Sequence, residues 1–345
     1  MAVASWLVMV LAASRQIDMA AASPNPKRGL VFVKSPDQDV NTIWIKDGSP
    51  LTWYYNYMWN VSSFFDTAPQ SSFEFVPQMW GAGNVNDTSF LGNVTRLIKG
   101  GRNITHVLGF NQPDGTWGSG GSNIAPADAA KLWIENFIPL QEQGVKIGLP
   151  VVEAHQEPRN WTIPFLANCT ELLSKGSGGA KNCSFDFVPI HAFGNMSALK
   201  SRINLFAEAF PEKPIWITEY ADNDESLAVT QSFFNESLKY LDSSDIVERY
   251  GYFGAFRSDL SNVGPNAAML DQYNRLTDIG SWYLGGNATG NLPDYSESSE
   301  DSGSSTVAAS KTNFKWPIII IIIIIIIIII IIIIIIIIII TMLGS

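Results

Sequence analysis

The sequence predicts one closed (β/α)8 TIM barrel, an α/β single domain over residues 26–286, set between a secretory leader and a hydrophobic C-terminal tail. Three observations predict it. Short apolar or aromatic runs recur eight times between Pro26 and Gly285, patterns of helical period fill the intervals, and about 260 residues is an ordinary length for such a barrel.

Taken in order, residues 1–22 read as a signal peptide. An apolar run from Trp6 to Ala13 precedes the small residues Ala20, Ala21 and Ala22, although no Lys or Arg marks its start. The strand candidates are Gly29–Val33, Trp53–Asn56, Phe73–Met79, Thr105–Phe110, Lys146–Val151, Phe187–His191, Pro214–Thr218 and Tyr250–Phe256. Among the helical patterns, Pro126–Gln143 opens on a first-turn proline and stops at Gly144, with Pro139 predicting a kink inside it. Ser197–Phe210 and Ser226–Leu241 are similar, the latter with Phe233, Leu238 and Leu241 on one face. A doubly wound open sheet is the alternative topology, but no Gly-rich dinucleotide turn follows the first strand.

After Gly286 the chain turns to Ser, Asp, Glu and Gly, too polar to order itself, so 287–313 reads as a stalk. The tail, 314–345, holds 23 consecutive isoleucines, Ile318 to Ile340. As a helix these would extend about 35 Å, enough to cross a bilayer. Only Thr341 to Ser345 follow, without a basic residue, while Lys311 and Lys315 precede the run. Small residues at Gly303–Ser305 or Ala308–Ser310, a polar spacer and a terminal apolar tail match a signal for glycolipid (GPI) anchoring. A retained transmembrane tail and an expanded repeat without function are the other readings.

The formal charge of −10 and pI near 4.8 argue against nucleic acid as a partner, because phosphate binding needs a positive patch that this composition does not offer. Ten Asn-x-Ser/Thr triplets, at Asn60, Asn86, Asn93, Asn103, Asn160, Asn168, Asn182, Asn195, Asn235 and Asn287, stand against roughly three expected by composition and point to the secretory pathway. In that compartment the two cysteines, Cys169 and Cys183, are expected to form a disulfide. The expected location is therefore the extracellular cell surface or cell wall, with a monomer held to the membrane through its C-terminal lipid anchor or tail.

Strand exits converge on one mouth in such a barrel. Here they bring Asn56, Trp80, Asn111, Gln112, His191 and Glu219, interleaved with Trp117, Phe193, Tyr220, Tyr252 and Phe253. Aromatic faces with amides are the composition of a sugar cleft. Glu219 stands out as a carboxylate ending an apolar strand, where desolvation demands a function or a partner. His106, His155 and His191 lack zinc-site spacing, Gly118, Gly120 and Gly121 lack the Gly-Lys-Ser/Thr ending of a phosphate loop, and no nucleophile elbow occurs, so no metal and no cofactor is implied.

Several ordered motifs resemble glycoside hydrolase family 128, a family of β-1,3-glucanases: Lys27-Arg28-Gly29-Leu30, Tyr54-Tyr55-Asn56, Phe75-Val76-Pro77 with Trp80-Gly81, Leu108-Gly109-Phe110-Asn111-Gln112-Pro113-Asp114, Trp216-Ile217-Thr218-Glu219-Tyr220, Arg249-Tyr250, and the stretch Asn266–Tyr283. The resemblance implies a (β/α)8 barrel acting on β-1,3-glucan with retention, with Glu219 at the nucleophile position and Asn111 preceding the acid/base. Gln112 stands where that acid/base glutamate belongs. An amide can neither protonate a leaving oxygen nor deprotonate water, so the resemblance implies an oligosaccharide-binding, catalytically silent member. A second departure is Ala192, where the family has an aromatic residue, which leaves one stacking subsite in question. The alternatives are an active endo- or exo-glucanase in which Glu153 or Asp114 supplies the acid, and a wall protein in which the barrel is only a spacer.

Overall fold

The computed structural model describes residues 25–293 apart from Gly178 and Asp224; the leader, most of the stalk and the polyisoleucine tail lie outside the described residues. Eight strands follow in chain order: β1 (Arg28–Val31), β2 (Trp53–Tyr55), β3 (Glu74–Phe75), β4 (His106–Leu108), β5 (Lys146–Gly148), β6 (Val188–Phe193), β7 (Ile215–Ala221) and β8 (Val247–Tyr252). All eight predicted runs carry a strand, with β6 and β7 extending further than the sequence suggested and β8 starting earlier. The helices are α1 (Ser89–Lys99), α2 (Pro126–Asn136), α3 (Ile138–Glu142), α4 (Thr162–Ser177), α5 (Met196–Ala209), α6 (Leu227–Ser243) and α7 (Asp278–Tyr283).

Pairing is parallel throughout the ring. Strand β1 lies between β2 and β8, β2 pairs β3, β4 pairs β5, and β6, β7 and β8 are adjacent. Two parallel bridges join the remaining seams, Gln78 with Leu108 between β3 and β4, and Gly148 with Phe187 between β5 and β6. The strands therefore succeed one another around a closed barrel, as predicted. Two features depart from the expectation. The first two crossovers carry only 3-10 turns, Asp39–Ile45 and Ser63–Phe65. The kinked Pro126–Gln143 helix is two helices broken at Phe137, because Pro139 offers no N–H to the ladder and its ring crowds the carbonyl of Glu135.

The N-terminal end of the barrel is plugged by aromatic rings. Trp216 packs against Phe187 at 4.1 Å, His106 at 5.0 Å and Trp53 at 5.2 Å between ring centroids, and the Arg249 guanidinium lies 4.3 Å from the Trp216 ring. Such bulk needs glycine opposite: a Cβ on Gly29 would come within 2.1 Å of the Trp53 indole. Glu74 completes the plug, its carboxylate held by Arg249 and His106 Nδ1, each at 2.8 Å. Burial pushes this carboxyl upward, but the His106 bond, the Arg249 charge and the Thr105 hydroxyl outweigh it and hold Glu74 at about 2.

The first part of the predicted stalk is docked instead. The backbone N–H groups of Thr289 and Gly290 donate to Asp278 Oδ1 at 2.7 and 2.8 Å, and Asn291 Nδ2 donates to the Leu276 carbonyl at 2.9 Å. Two backbone donors, which the composition of a segment does not reveal, fasten it to Asp278 of α7, and one side-chain amide ties it to Leu276 just before that helix. Cys169 on α4 and Cys183 form the expected disulfide, 14 residues apart.

Candidate functional site

The mouth is made where β7 bulges. Ile190 of β6 faces Ile217 of β7, yet His191 faces Glu219, so Thr218 is an extra residue in the ladder. A one-residue bulge re-aims the side chains that follow it, and here it sets Glu219 directly across from His191. The plug beneath and the loops above leave a cleft of about 720 Å³ at the strands' C-terminal ends. Among the described residues Glu219 is the one carboxylate lining it, with Gln112, Asn111, Tyr57, Trp80, Phe193, Phe253 and Phe256 around it.

Glu219 is almost fully buried. Its Oε1 accepts from Tyr57 Oη at 2.8 Å and Tyr55 Oη at 3.4 Å. Burial raises its pKa to about 7, and the two tyrosine hydrogen bonds only partly oppose that. His191 Nε2 lies 3.3 Å from the same oxygen, at an angle that makes a polar contact rather than an aligned hydrogen bond. On the other side of the ring, Gln112 Nε2 is 3.2 Å from His191 Nδ1. With the Gln112 amide nitrogen turned to the ring, as it is here, Nδ1 is the acceptor and Nε2, facing Glu219, is the ring nitrogen left to carry the proton. Burial, with the Arg202 charge behind it, pushes His191 down to about 3, and the imidazole is therefore neutral. Glu219 and Gln112 are thus linked through one uncharged ring.

Gln112 reaches that ring from a strained backbone, φ 41°, fixed by its N–H donating to the Val151 carbonyl at 2.7 Å and its carbonyl accepting from Gly115 and Ser122. Tyr57, at φ 63°, is the other left-handed residue here. Asn111 Nδ2 donates to the Gly120 carbonyl at 3.1 Å, and its Oδ1 accepts nothing from the described residues. Trp80 is half-buried and tilts against Trp117, which is 64% exposed, with centroids 5.2 Å apart. Phe193 meets Phe253 edge-on at 5.7 Å on the opposite side.

Of the residues expected at the mouth, Trp80, Asn111, Gln112, Phe193, Glu219 and Phe253 line the cleft, His191 lies under its floor, and Trp117 extends the Trp80 wall outward. Tyr220 and Tyr252 do not reach it. Both are fully buried on the outer face of the barrel, 5.3 Å apart, packed on Phe233 and on Phe234 and Tyr283 respectively. Alternation along a strand sends neighbours to opposite faces, so Glu219 inside puts Tyr220 outside. Asn56 is engaged within its own loop, donating to the Asn60 carbonyl and accepting from Met58 N–H. Ala192, in register with Tyr220, is buried on that same outer face, so this departure from the family pattern does not touch the cleft. Tyr55 and Tyr57 were missed, although Trp53, Tyr55 and Tyr57 form a period-2 set that marks one face of β2.

The alternative acids stand behind the wall. Both oxygens of Asp114 face the Glu153 N–H, at 3.0 and 3.3 Å, and Glu153 Oε1 accepts from Ser119 Oγ at 3.0 Å. Neither carboxyl lines the cleft. A larger hollow of about 860 Å³ lies at the opposite, N-terminal end, where Glu74 is already neutralised by Arg249.

Comparison with known proteins places this architecture. Residues 29–283 match the family described as glycosyl hydrolase catalytic core, and the chain belongs to that family. The resemblance to glycoside hydrolase family 128 is borne out by solved structures of that fold. An endo-β-1,3-glucanase of subgroup II from Sorangium cellulosum matches at 23% identity and TM-score 0.58, covering 76% of this chain and 99% of that one. A subgroup VII oligosaccharide-binding protein from Cryptococcus neoformans matches at 25% identity and TM-score 0.55, covering 76% and 94%. A curated relative, alkali-sensitive linkage protein 1 of Schizosaccharomyces pombe, is 28% identical over 272 residues, 76% of this chain but 45% of its own length. The chain thus spans under half of that relative.

Proposed function

We propose that the protein binds β-1,3-gluco-oligosaccharides at the barrel mouth without hydrolysing glucan. The observation that carries this is the carboxylate inventory of the cleft: Glu219 alone among the described lining residues, with an amide, Gln112, lining it at the position to which the family resemblance assigns the proton donor. Hydrolysis with retention needs a second carboxyl that gives a proton to the leaving oxygen and later takes one from water. Binding needs none, and the cleft keeps what binding uses: the Trp80–Trp117 wall and the Phe193–Phe253 wall. Glucanases and an oligosaccharide-binding protein share this fold, which supports the ligand class.

An extracellular, cell-surface setting with a GPI anchor or a membrane-embedded tail fits the rest. Cys169 and Cys183 form a disulfide, and none of the ten sequon asparagines is buried. No helix among the described residues is long and apolar enough to cross a membrane.

Titration calorimetry with laminari-oligosaccharides, run beside a reducing-end assay, tests the reading. Saturable binding without released ends is expected. Brisk hydrolysis of laminarin by the wild-type chain would overturn the silent site, and absence of binding would overturn the ligand.

A further inference from the structure

Glu153 stands in the segment after β5, and its backbone is held from two sides. Its N–H donates to Asp114 Oδ1 and Oδ2 at 3.0 and 3.3 Å, and its carbonyl accepts from Arg202 Nη2 of α5 at 2.8 Å. A side chain on so fixed a backbone can act as a post for its neighbours. The Glu153 side chain is only 17% exposed, and its Oε1 accepts from Ser119 Oγ at 3.0 Å. The carboxylate also packs directly on main chain: a Cβ on Gly115 would come within 2.4 Å of the same oxygen.

Ser119 belongs to the exposed turn Thr116–Gly120, which carries Trp117. The turn closes on itself. The Ser119 N–H donates to the Thr116 carbonyl at 3.0 Å, and the Thr116 N–H donates to Ser119 Oγ at 3.1 Å. Those bonds fix its shape but not its place on the barrel. Among the described residues two side chains tie it down: Asn111, whose Nδ2 donates to the Gly120 carbonyl, and Glu153 through Ser119. An indole 64% exposed has too little packing to hold its own position, so the 5.2 Å contact of Trp117 with Trp80 depends on the turn beneath it.

We propose that Glu153 is a positioning residue for the sugar cleft: through Ser119 it holds the turn that keeps Trp117 in line with Trp80, and so sets how long an oligosaccharide the wall accepts. The inference rests on the sugar-binding reading of the mouth. A pyranose ring stacks on one aromatic face at a time, so Trp80 serves a short ligand and Trp117, further out, serves only a longer one. Glu153 therefore acts on the affinity gained with length and not on the contacts nearest Glu219. What the role needs is an acceptor oxygen, which an amide also supplies.

The test is calorimetry on the full chain with laminaritriose and laminarihexaose. Wild type is expected to bind the hexaose at least about tenfold more tightly than the triose. Glu153→Ala should lose about fivefold on the hexaose and less than about twofold on the triose, and Glu153→Gln should restore the hexaose value. Gly115→Ala, whose added methyl displaces the carboxylate without removing it, should reproduce the Glu153→Ala pattern, and it decides the matter if Glu153→Ala does not fold. In a Trp117→Ala background the Glu153→Ala change should cost nothing further on the hexaose. Glu157→Ala, in the same segment with its carboxylate on Arg159, is the control and should alter neither affinity. Equal losses on both ligands, no loss, failure of Glu153→Gln to restore affinity, losses additive with Trp117→Ala, or a matching effect of Glu157→Ala each overturn the proposal and leave sugar binding standing. Absence of wild-type binding to either ligand overturns both.

Discussion

Gln112→Glu is the sharpest perturbation the site offers. The two side chains have the same shape, and the cleft around position 112 is set by backbone bonds that the change leaves alone: N–H to the Val151 carbonyl, carbonyl to Gly115 and Ser122. The introduced carboxyl would face the lone pair of His191 Nδ1 at the 3.2 Å now taken by the amide. Ionised, it would set acceptor against acceptor with Glu219 close behind the ring. Protonated, it donates to Nδ1 as the amide does. Both effects favour the acid form and raise the carboxyl's pKa, which is the property of a general acid. Restored proton transfer is worth about 10²- to 10⁴-fold in rate, or about 3–5 kcal/mol at the transition state. The assay is release of reducing ends from laminarihexaose, with calorimetry on the same preparation. Affinity should move by less than about threefold, since the hydrogen-bonding outline is kept. If the variant binds as the wild type does and releases no ends, the missing carboxyl is not the decisive defect and the argument from Gln112 fails.

Trp80→Ala removes the inner ring of the Trp80–Trp117 wall and should weaken laminarihexaose binding by about 10- to 100-fold in calorimetry, whereas Tyr252→Phe, on the outer face, should leave it unchanged. Glu219 has a raised pKa, so the folded state holds its proton to a higher pH than the unfolded chain does, and stability is lost as pH rises from about 4.5 through about 7. That loss is on the order of 3 kcal/mol, and Glu219→Gln should abolish it, giving a higher Tm than wild type at about pH 8 and little difference at about pH 5; equal Tm values at both would refute the buried-carboxylate account. Glu74 has the opposite sign, its depressed pKa adding stability above about 4.5 that is lost as pH falls towards about 2. Glu74→Gln should cost roughly 3 kcal/mol in neutral denaturant titrations, by leaving the part-buried Arg249 without its counter-charge, and should not alter sugar binding.

Much of this was legible in the residues because a barrel repeats one unit. Eight apolar runs separated by helical patterns or turns fix the number of strands, and a parallel ring puts their exits on one face. That logic found Trp80, Asn111, Gln112 and Glu219. It erred where exit position was taken as sufficient and side-chain parity was ignored. Tyr252 ends β8 and Phe253 follows it, but only Phe253 faces the cleft, and Asn56 was preferred to Tyr57 although Trp53 and Tyr55 already set the parity of β2. The bulge at Thr218 was not legible at all. A single extra residue in a ladder leaves no compositional trace, and whether Glu219 faces His191 or Ala192 depends on it. The docking of Thr289 and Asn291 was not legible either, because a backbone N–H to the Asp278 carboxylate and a side-chain amide to the Leu276 carbonyl are donors that any polar segment possesses.

Three local costs converge on a single side chain. Gln112 and Tyr57 both hold left-handed backbones, each of order 1 kcal/mol for a residue other than glycine, and both serve the Glu219–His191 pair. The bulge of β7 interrupts the ladder at the same point. Glu219 itself resists ionisation there, because burial outweighs its two tyrosine donors. A barrel that merely spaced other groups would gain stability by replacing this carboxyl with an amide, at no loss of purpose. The expense is rational only if the open oxygen of Glu219 meets a ligand, as an acceptor for a sugar hydroxyl. Glu219→Gln tests that use: a stabler protein with weakened oligosaccharide affinity assigns the cost to recognition, and a stabler protein with undiminished affinity refutes it.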